Sequence, residues 1–194
     1  MSDAGTTHET NAKDPADRPG YYHPSMIVVH WTIVFLLIFQ FATSGRMEAQ
    51  FEMAQEGVQR IGLAGALYVH GLIGTAILAL MVWRFTLRRH YVVPPPPETE
   101  PEMLQKVSRG VHYAFYVLLI AMPVFGWLAV ATGSGLIGWA HKLAGYALIV
   151  LILAHVAGAL WHAFKKDGVV KRVLRQDPAG QHDTRTDVPK TPAE

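Results

Sequence analysis

Cysteine is absent from the 194 residues of this chain. Its absence excludes disulfide frameworks, thiolate zinc sites, cysteine-ligated iron–sulfur clusters and covalently attached c-type haem, because each needs a cysteine side chain. Any cofactor or metal that the chain holds must therefore be bound through other side chains.

Charged residues are also scarce, at 16% of the chain against 51% hydrophobic residues, and the mean hydropathy is +0.19. This composition is too apolar for an ordinary soluble domain and is typical of an integral membrane protein. The formal net charge of +2 is unremarkable. We expect a lipid environment and no nucleic-acid partner.

Four apolar segments are long enough to cross a hydrocarbon core of about 30 Å at about 1.5 Å per helical residue. The sequence therefore predicts an all-α membrane protein, a four-transmembrane-helix up-down bundle occupying residues 25–164. Pro123 predicts a kink in the third helix, and residues 133–135 predict a short turn before the fourth. The predicted spans are residues 26–43, 63–85, 110–132 and 136–164.

Both ends of the chain are predicted to be tails on one side of the membrane. Residues 1–24 are polar and lack the pattern of a signal peptide, so we expect a disordered tail. Residues 165–194 start basic and continue polar. Because this tail and residues 86–109 are the richest in Lys and Arg, the positive-inside rule places both termini in the cytoplasm. Residues 45–62 are predicted to be a mixed-charge loop with helical character on the other side.

The fourth apolar segment carries histidines inside the predicted membrane, where imidazoles are costly and indicate a functional site. His141 and His155 are 14 residues apart. At about 100° and 1.5 Å per residue, both lie near one helix face and are separated by roughly 21 Å along the axis. One imidazole near each membrane surface is an arrangement that could hold two cofactors stacked across the bilayer.

The predicted orientation gives each histidine a depth and yields two pairs. His30 enters from the cytoplasmic side and is level with His155, whereas His70 enters from the outer side and is level with His141. Each pair comes from two different helices. A bis-histidine haem needs this arrangement, because the iron takes one nitrogen from each of two imidazoles on opposite porphyrin faces.

These features resemble the cytochrome b561 family of bacterial inner membranes. The similarity covers roughly residues 21–175 and includes the His30–Trp31 pair, the HGLIG stretch that starts at His70, and AHKLAGYALIVLILAHVAGALWH in the fourth segment. It implies a four-helix bundle in the inner membrane with two haems b. It also implies electron exchange with ubiquinone or ubiquinol, and for one kind of member oxidation of superoxide outside. The residues that match the axial ligands are His30, His70, His141 and His155, and His162 matches a histidine near the quinone site on the cytoplasmic side.

Three further residues are candidates for the site. His112 starts the third segment and competes for the inner pair; otherwise it contacts a haem propionate or the interface. His162 and His112 could exchange protons with a quinone, since imidazole titrates near neutral pH. Arg84 lies 14 residues after His70, and its guanidinium either extends to lipid headgroups or binds a haem propionate through two hydrogen bonds.

The function that we expect is a transmembrane electron relay, with ubiquinone at the inner haem and superoxide or another periplasmic donor outside. Arg46, Arg60 and Lys142 could attract an anionic donor. Two alternatives remain open. The chain could be the cytochrome b anchor subunit of a hydrogenase or formate dehydrogenase, or a haem-free transporter or scaffold whose histidines bind protons or metal.

Overall fold

The computed structural model describes residues 22–55, 61–91, 93–97 and 100–174, and gives side chains for all of these except 46–52, 54–55 and 61–64. The described residues form helices and no strand, which confirms the predicted all-α class. Most of both predicted tails lies outside the described residues, as do Arg60 and the side chain of Arg46. The helices are α1 Pro24–Gln55, α2 Ile61–His90, α3 Glu102–Thr132, α4 Gly135–Lys165 and α5 Lys171–Leu174.

Four of these helices are long and apolar enough to cross a membrane, over Pro24–Gly45, Gly65–His90, Glu102–Thr132 and Gly135–Lys165. The described helices extend beyond the predicted spans because a helix continues past the apolar core wherever its residues tolerate helical geometry. The largest differences are at α1, which continues to Gln55 through the predicted loop, and at α3, which begins eight residues earlier than the predicted span.

The turn between α3 and α4 is as short as predicted. Gly133 ends α3 with φ of 64°, a left-handed conformation that glycine adopts without steric cost, and α4 begins at Gly135. Pro123 lies inside α3, which is one continuous helix. The predicted kink at this proline stays a prediction.

Helices that follow one another in the chain pack together: α1 with α2, α2 with α3 and α3 with α4. A small buried cluster lies between them, and Leu148 of α4 is its most buried member at 0% exposure. Large apolar side chains such as Phe35, Leu72 and Leu153 are exposed along the helices. A surface this apolar is stable against lipid tails and not against water. The buried cluster consists of Val29, Ile33, Ile77, Met81, Leu119 and Leu148.

The segment after α4 folds back over the end of the bundle where α1 begins. Lys166 ends α4 with φ of 55°, and the chain then turns through Gly168 into α5. The indole Nε1 of Trp31 donates to the Val173 carbonyl at 3.2 Å, and Arg172 Nη1 donates to the Pro95 carbonyl at 2.8 Å. Two bonds from distant parts of the chain therefore hold this segment.

Candidate functional site

The structure brings together two pairs of histidines at two heights in the bundle. The rings of His30 and His155 have centroids 6.4 Å apart, and those of His70 and His141 have centroids 6.2 Å apart. These are the two pairs expected from depth. The first joins α1 to α4 and the second joins α2 to α4, so both cross the bundle between helices that are not consecutive in the chain. After their predicted depths, we call His30 and His155 the inner pair, and His70 and His141 the outer pair.

The spacing within each pair fits a metal ion shared by two imidazoles. A metal–nitrogen bond of about 2 Å on each side, plus about 1.2 Å from nitrogen to ring centre, separates two trans imidazole centroids by about 6.4 Å. The observed 6.4 Å and 6.2 Å agree with this value. In the described part of the chain, no direct hydrogen bond joins the two imidazoles of either pair, so such a bond does not account for the spacing.

His112 lies beside the inner pair, and its geometry differs from that of His30. Its ring centroid is 5.3 Å from that of His155, about 1 Å less than two trans ligands of one iron require. Its Nδ1 is 2.7 Å from the Ser108 carbonyl, one turn earlier in α3. Since a carbonyl only accepts, Nδ1 carries the proton and the ring is tied to its own helix. The geometry therefore favours His30 over His112 as the partner of His155.

Arg84 supplies a positive charge at the inner pair. Its Nη1 donates to the Met26 carbonyl at 2.9 Å, which holds the guanidinium within the bundle. The charge lies within electrostatic range of His30, His112 and His155. A cation here suits an anionic cofactor group such as a propionate, and it would favour the less positive redox state of a cofactor bound between the rings.

The outer pair is supported by close packing from α3. His141 Nδ1 lies 2.9 Å from the Met122 carbonyl, so this nitrogen is the donor and Nε2 is left to act as a ligand. The His141 ring rests on Gly126, where an added Cβ would be 3.3 Å from ring atom Cε1. Trp127 covers Gly71 in the same way, with Cζ2 3.0 Å from the position of an added Cβ, and its indole donates to Thr75 Oγ1 at 2.8 Å.

His70 and the neighbouring Gln40 each have one buried polar atom without a hydrogen-bond partner among the described residues. These atoms are Nδ1 of His70 and Oε1 of Gln40. Gln40 Nε2 donates to the His70 backbone carbonyl at 3.0 Å. Buried polar atoms left unpaired are uncommon and point to a ligand, ion or water site. The donor set around His70 and His141 thus fits a metal-bearing cofactor.

His162 lies on the same face of α4 as His155, two turns and about 10 Å nearer the helix end. Its Nδ1 is 2.6 Å from Asp167 Oδ2, and its Nε2 is 3.4 Å from Glu100 Oε1. Burial works to raise the pKa of Asp167, but the hydrogen bond from His162 and that from the Val169 amide outweigh it, so the pKa is below its usual range. We call Glu100, His162 and Asp167 the His162 triad.

Sequence reasoning missed the partners of these histidines. Gln40 could have been noticed, because a polar side chain in an apolar span is an indication of function. Asp167 follows His162 by five residues, close enough to suggest a contact around the helix end. Glu100 and Gly126 gave no such signal, since only the packing of α3 and the preceding loop brings them to α4.

A four-helix membrane protein with two levels of paired histidines is the class that this fold and site define. The family model for prokaryotic cytochrome b561 matches residues 21–176. The chain belongs to this family, as the resemblance in its histidine segments predicted. It is therefore a membrane cytochrome of the electron-transport type, and the family implies haem b as its cofactor.

Two curated relatives are similar to the chain. Cytochrome b562 of Cereibacter sphaeroides is 30% identical over 158 residues, which cover 81% of this chain and 96% of the relative. A probable superoxide oxidase, CybB, of Yersinia pestis is 26% identical over 111 residues, or 54% of this chain and 55% of the relative.

Proposed function

We propose that the chain binds two haems b and carries electrons across the bacterial inner membrane between ubiquinone at one face and a donor at the other. His30 and His155 would hold the inner haem, and His70 and His141 the outer one. The observation that carries the proposal is the spacing of the two pairs, 6.4 Å and 6.2 Å between ring centroids, at two heights of one bundle. When bound, the haems would supply two one-electron ferric–ferrous couples with both axial positions taken.

The residues of the chain have three tasks in this function. The paired imidazoles would hold the two haems, and the hydrogen bond from His141 Nδ1 to the Met122 carbonyl leaves His141 Nε2 free to bind the iron. Arg84 faces the inner pair with a positive charge that suits a propionate. His162 and His112, at the end of the bundle with α5, are the groups that could exchange protons with a quinone.

We place both termini in the cytoplasm, as the distribution of Lys and Arg predicts. The donor at the outer face is then periplasmic. Superoxide is our first candidate because the Yersinia relative carries that activity in its name. Lys142, near the end of the bundle where α4 begins, would attract such an anion.

A ligand-by-ligand experiment tests the haem assignment. Each of the four histidines is substituted by alanine, and haem content and reduced-minus-oxidised spectra are measured, with His90→Ala as a control for losing an imidazole at a helix end. We expect His30→Ala and His155→Ala to lose the same haem, and His70→Ala and His141→Ala the other. Two low-spin haems in the His70→Ala and His155→Ala variants would refute the assignment.

The substrates are tested on the purified protein alone. Rapid reduction of the haems by ubiquinol would support the proposal. So would rapid reduction by a superoxide-generating system, provided that superoxide dismutase abolishes it. Reduction only when a partner dehydrogenase or hydrogenase subunit is added would favour the anchor-subunit alternative. A colourless protein after expression with ample haem would favour the transporter or scaffold.

A further inference from the structure

The His162 triad is a cluster of ionisable groups that the proposed haem binding leaves unused. His162 comes from the last turn of α4, Asp167 from the turn that follows, and Glu100 from the loop before α3. The exposed fractions of their side chains are 18%, 14% and 10%. Three elements thus bring one imidazole and two carboxylates into a mostly buried contact.

The two carboxylates differ in what else they do. Asp167 Oδ1 accepts from the Val169 amide at 3.2 Å, so Asp167 also supports the turn that leads to α5. In the described part of the chain, His162 is the only partner of the Glu100 carboxylate. A carboxylate that is 90% buried is destabilising unless it is paired or protonated, so the burial of Glu100 depends on its contact with His162.

The charge of the cluster changes with one proton. With both carboxylates ionised, a protonated His162 leaves a net charge of −1 and a neutral one leaves −2. Lys165 is within electrostatic range of Asp167, and Arg172 donates to the Pro95 carbonyl. Among the described residues, the ion pairs of the triad join its own members, so a proton on His162 offsets part of the charge of the two carboxylates.

The position of the triad connects it to electron transfer. His162 follows His155 by seven residues, which places both on one face of α4 about 10 Å apart. Adding an electron between His30 and His155 makes that end of the bundle more negative, and a nearby acid–base group then gains affinity for a proton. The contact of Trp31 with Val173 places the segment that carries Asp167 over the same end.

We propose that Glu100, His162 and Asp167 form the proton-exchange site of the cytoplasmic face. Asp167 positions His162 through Nδ1, and Glu100 is the group on the Nε2 side that exchanges the proton with water. This proposal rests on the proposed quinone-linked function. One quinone that becomes a quinol takes up two electrons and two protons; the electrons come from the donor at the outer face, and the protons enter one at a time through Glu100 and His162. When ubiquinol is the reductant, the same groups carry the two protons in the opposite direction.

The first test uses no quinone. The purified holoprotein is reduced at an electrode, and the protons taken up per electron are measured with a pH indicator. Glu100→Gln and Asp167→Asn keep the side-chain shape. Glu102→Gln is the matched control, since Glu102 is 89% exposed and forms an ion pair with Lys106 on the helix surface. We expect less proton uptake in the first two variants than in the wild type and in Glu102→Gln. Equal uptake in all four proteins would overturn the proposal.

The second test uses ubiquinol as the reductant and follows haem reduction across the pH range. We expect Glu100→Gln to slow reduction by about 100-fold, at the low end of what a positioned acid–base group contributes, and to flatten its rise with pH. Haem content and dithionite-reduced spectra stay unchanged, and Glu100→Asp recovers part of the rate. A loss that is equal at every pH would mean a structural role and refute the proposal. A wild type that ubiquinol fails to reduce would refute quinone linkage instead, and the electrode experiment alone then decides the triad.

Discussion

Gly126 gives the sharpest test of the outer site, because its lack of a side chain lets α3 approach His141 closely. A Cβ at Gly126 would be 3.3 Å from His141 Cε1, closer than such atoms normally pack, and 3.4 Å from Nδ1. The ring cannot move away freely, since Nδ1 donates to the Met122 carbonyl at 2.9 Å. Gly126→Ala must therefore shift the imidazole by a few tenths of an ångström or weaken this hydrogen bond.

The size of the effect follows from two opposing terms. Replacing glycine by alanine inside a helix stabilises the helix by up to about 1 kcal/mol. Weakening the His141 hydrogen bond costs about 0.5–1.5 kcal/mol. Loss of a bond that orients a metal ligand typically lowers metal affinity by about 10- to 100-fold. We expect a helix that is as stable as before and an outer haem that binds about tenfold more weakly.

The matched control is Gly158→Ala. Gly158 lies inside α4 as Gly126 lies inside α3, and an added Cβ at Gly158 meets nothing within 4 Å, so only the helix term operates. The two variants are compared by haem-to-protein ratio at limiting haem and by redox titration of both centres. If Gly126→Ala alone loses one haem, or shifts the midpoint potential of one haem, the assignment of His141 to the outer site is supported. Indistinguishable titrations for the two variants would contradict the role of His141.

Three further predictions concern the inner site and the end of the bundle. His112→Ala should keep both haems, because its ring is too close to His155 to be the trans ligand; loss of the inner haem in haem analysis would show otherwise. Arg84→Gln should lower the midpoint potential of the inner haem, since a nearby cation stabilises the less positive ferrous state. The control is Arg89→Gln, which removes a guanidinium that lies over Phe85 and should leave the potential unchanged. Equal potentials of the two variants in redox titration would count against a charge effect. The pKa of Asp167 is lowered in the folded state, so its contribution to stability is present above the unfolded pKa of about 3.9 and is lost as the pH falls below that value. In the wild type, limited proteolysis should therefore release the segment after Lys165 only under these acidic conditions. In Asp167→Asn the same segment should be released already at neutral pH.

The sequence by itself determined the class of the protein and the heights of its histidines. Apolar length fixes the number of helices, because only a helix satisfies its backbone in lipid. Alternating direction then fixes depth, so His30 could be matched with His155 and His70 with His141 before any contact was known. These inferences use only the length of each helix, the positions of its histidines and the rule that consecutive membrane helices run in opposite directions.

The tertiary structure decided everything that depends on how helices rotate and approach each other. Whether His30 or His112 lies at the right distance from His155 is a difference of about 1 Å, which no sequence spacing determines. The glycine under His141 and the glutamate beside His162 belong to chain segments far from those histidines. Helix length and order are local properties of an apolar chain in lipid, whereas side-chain partners across the bundle follow from packing, and packing is a property of all four helices together.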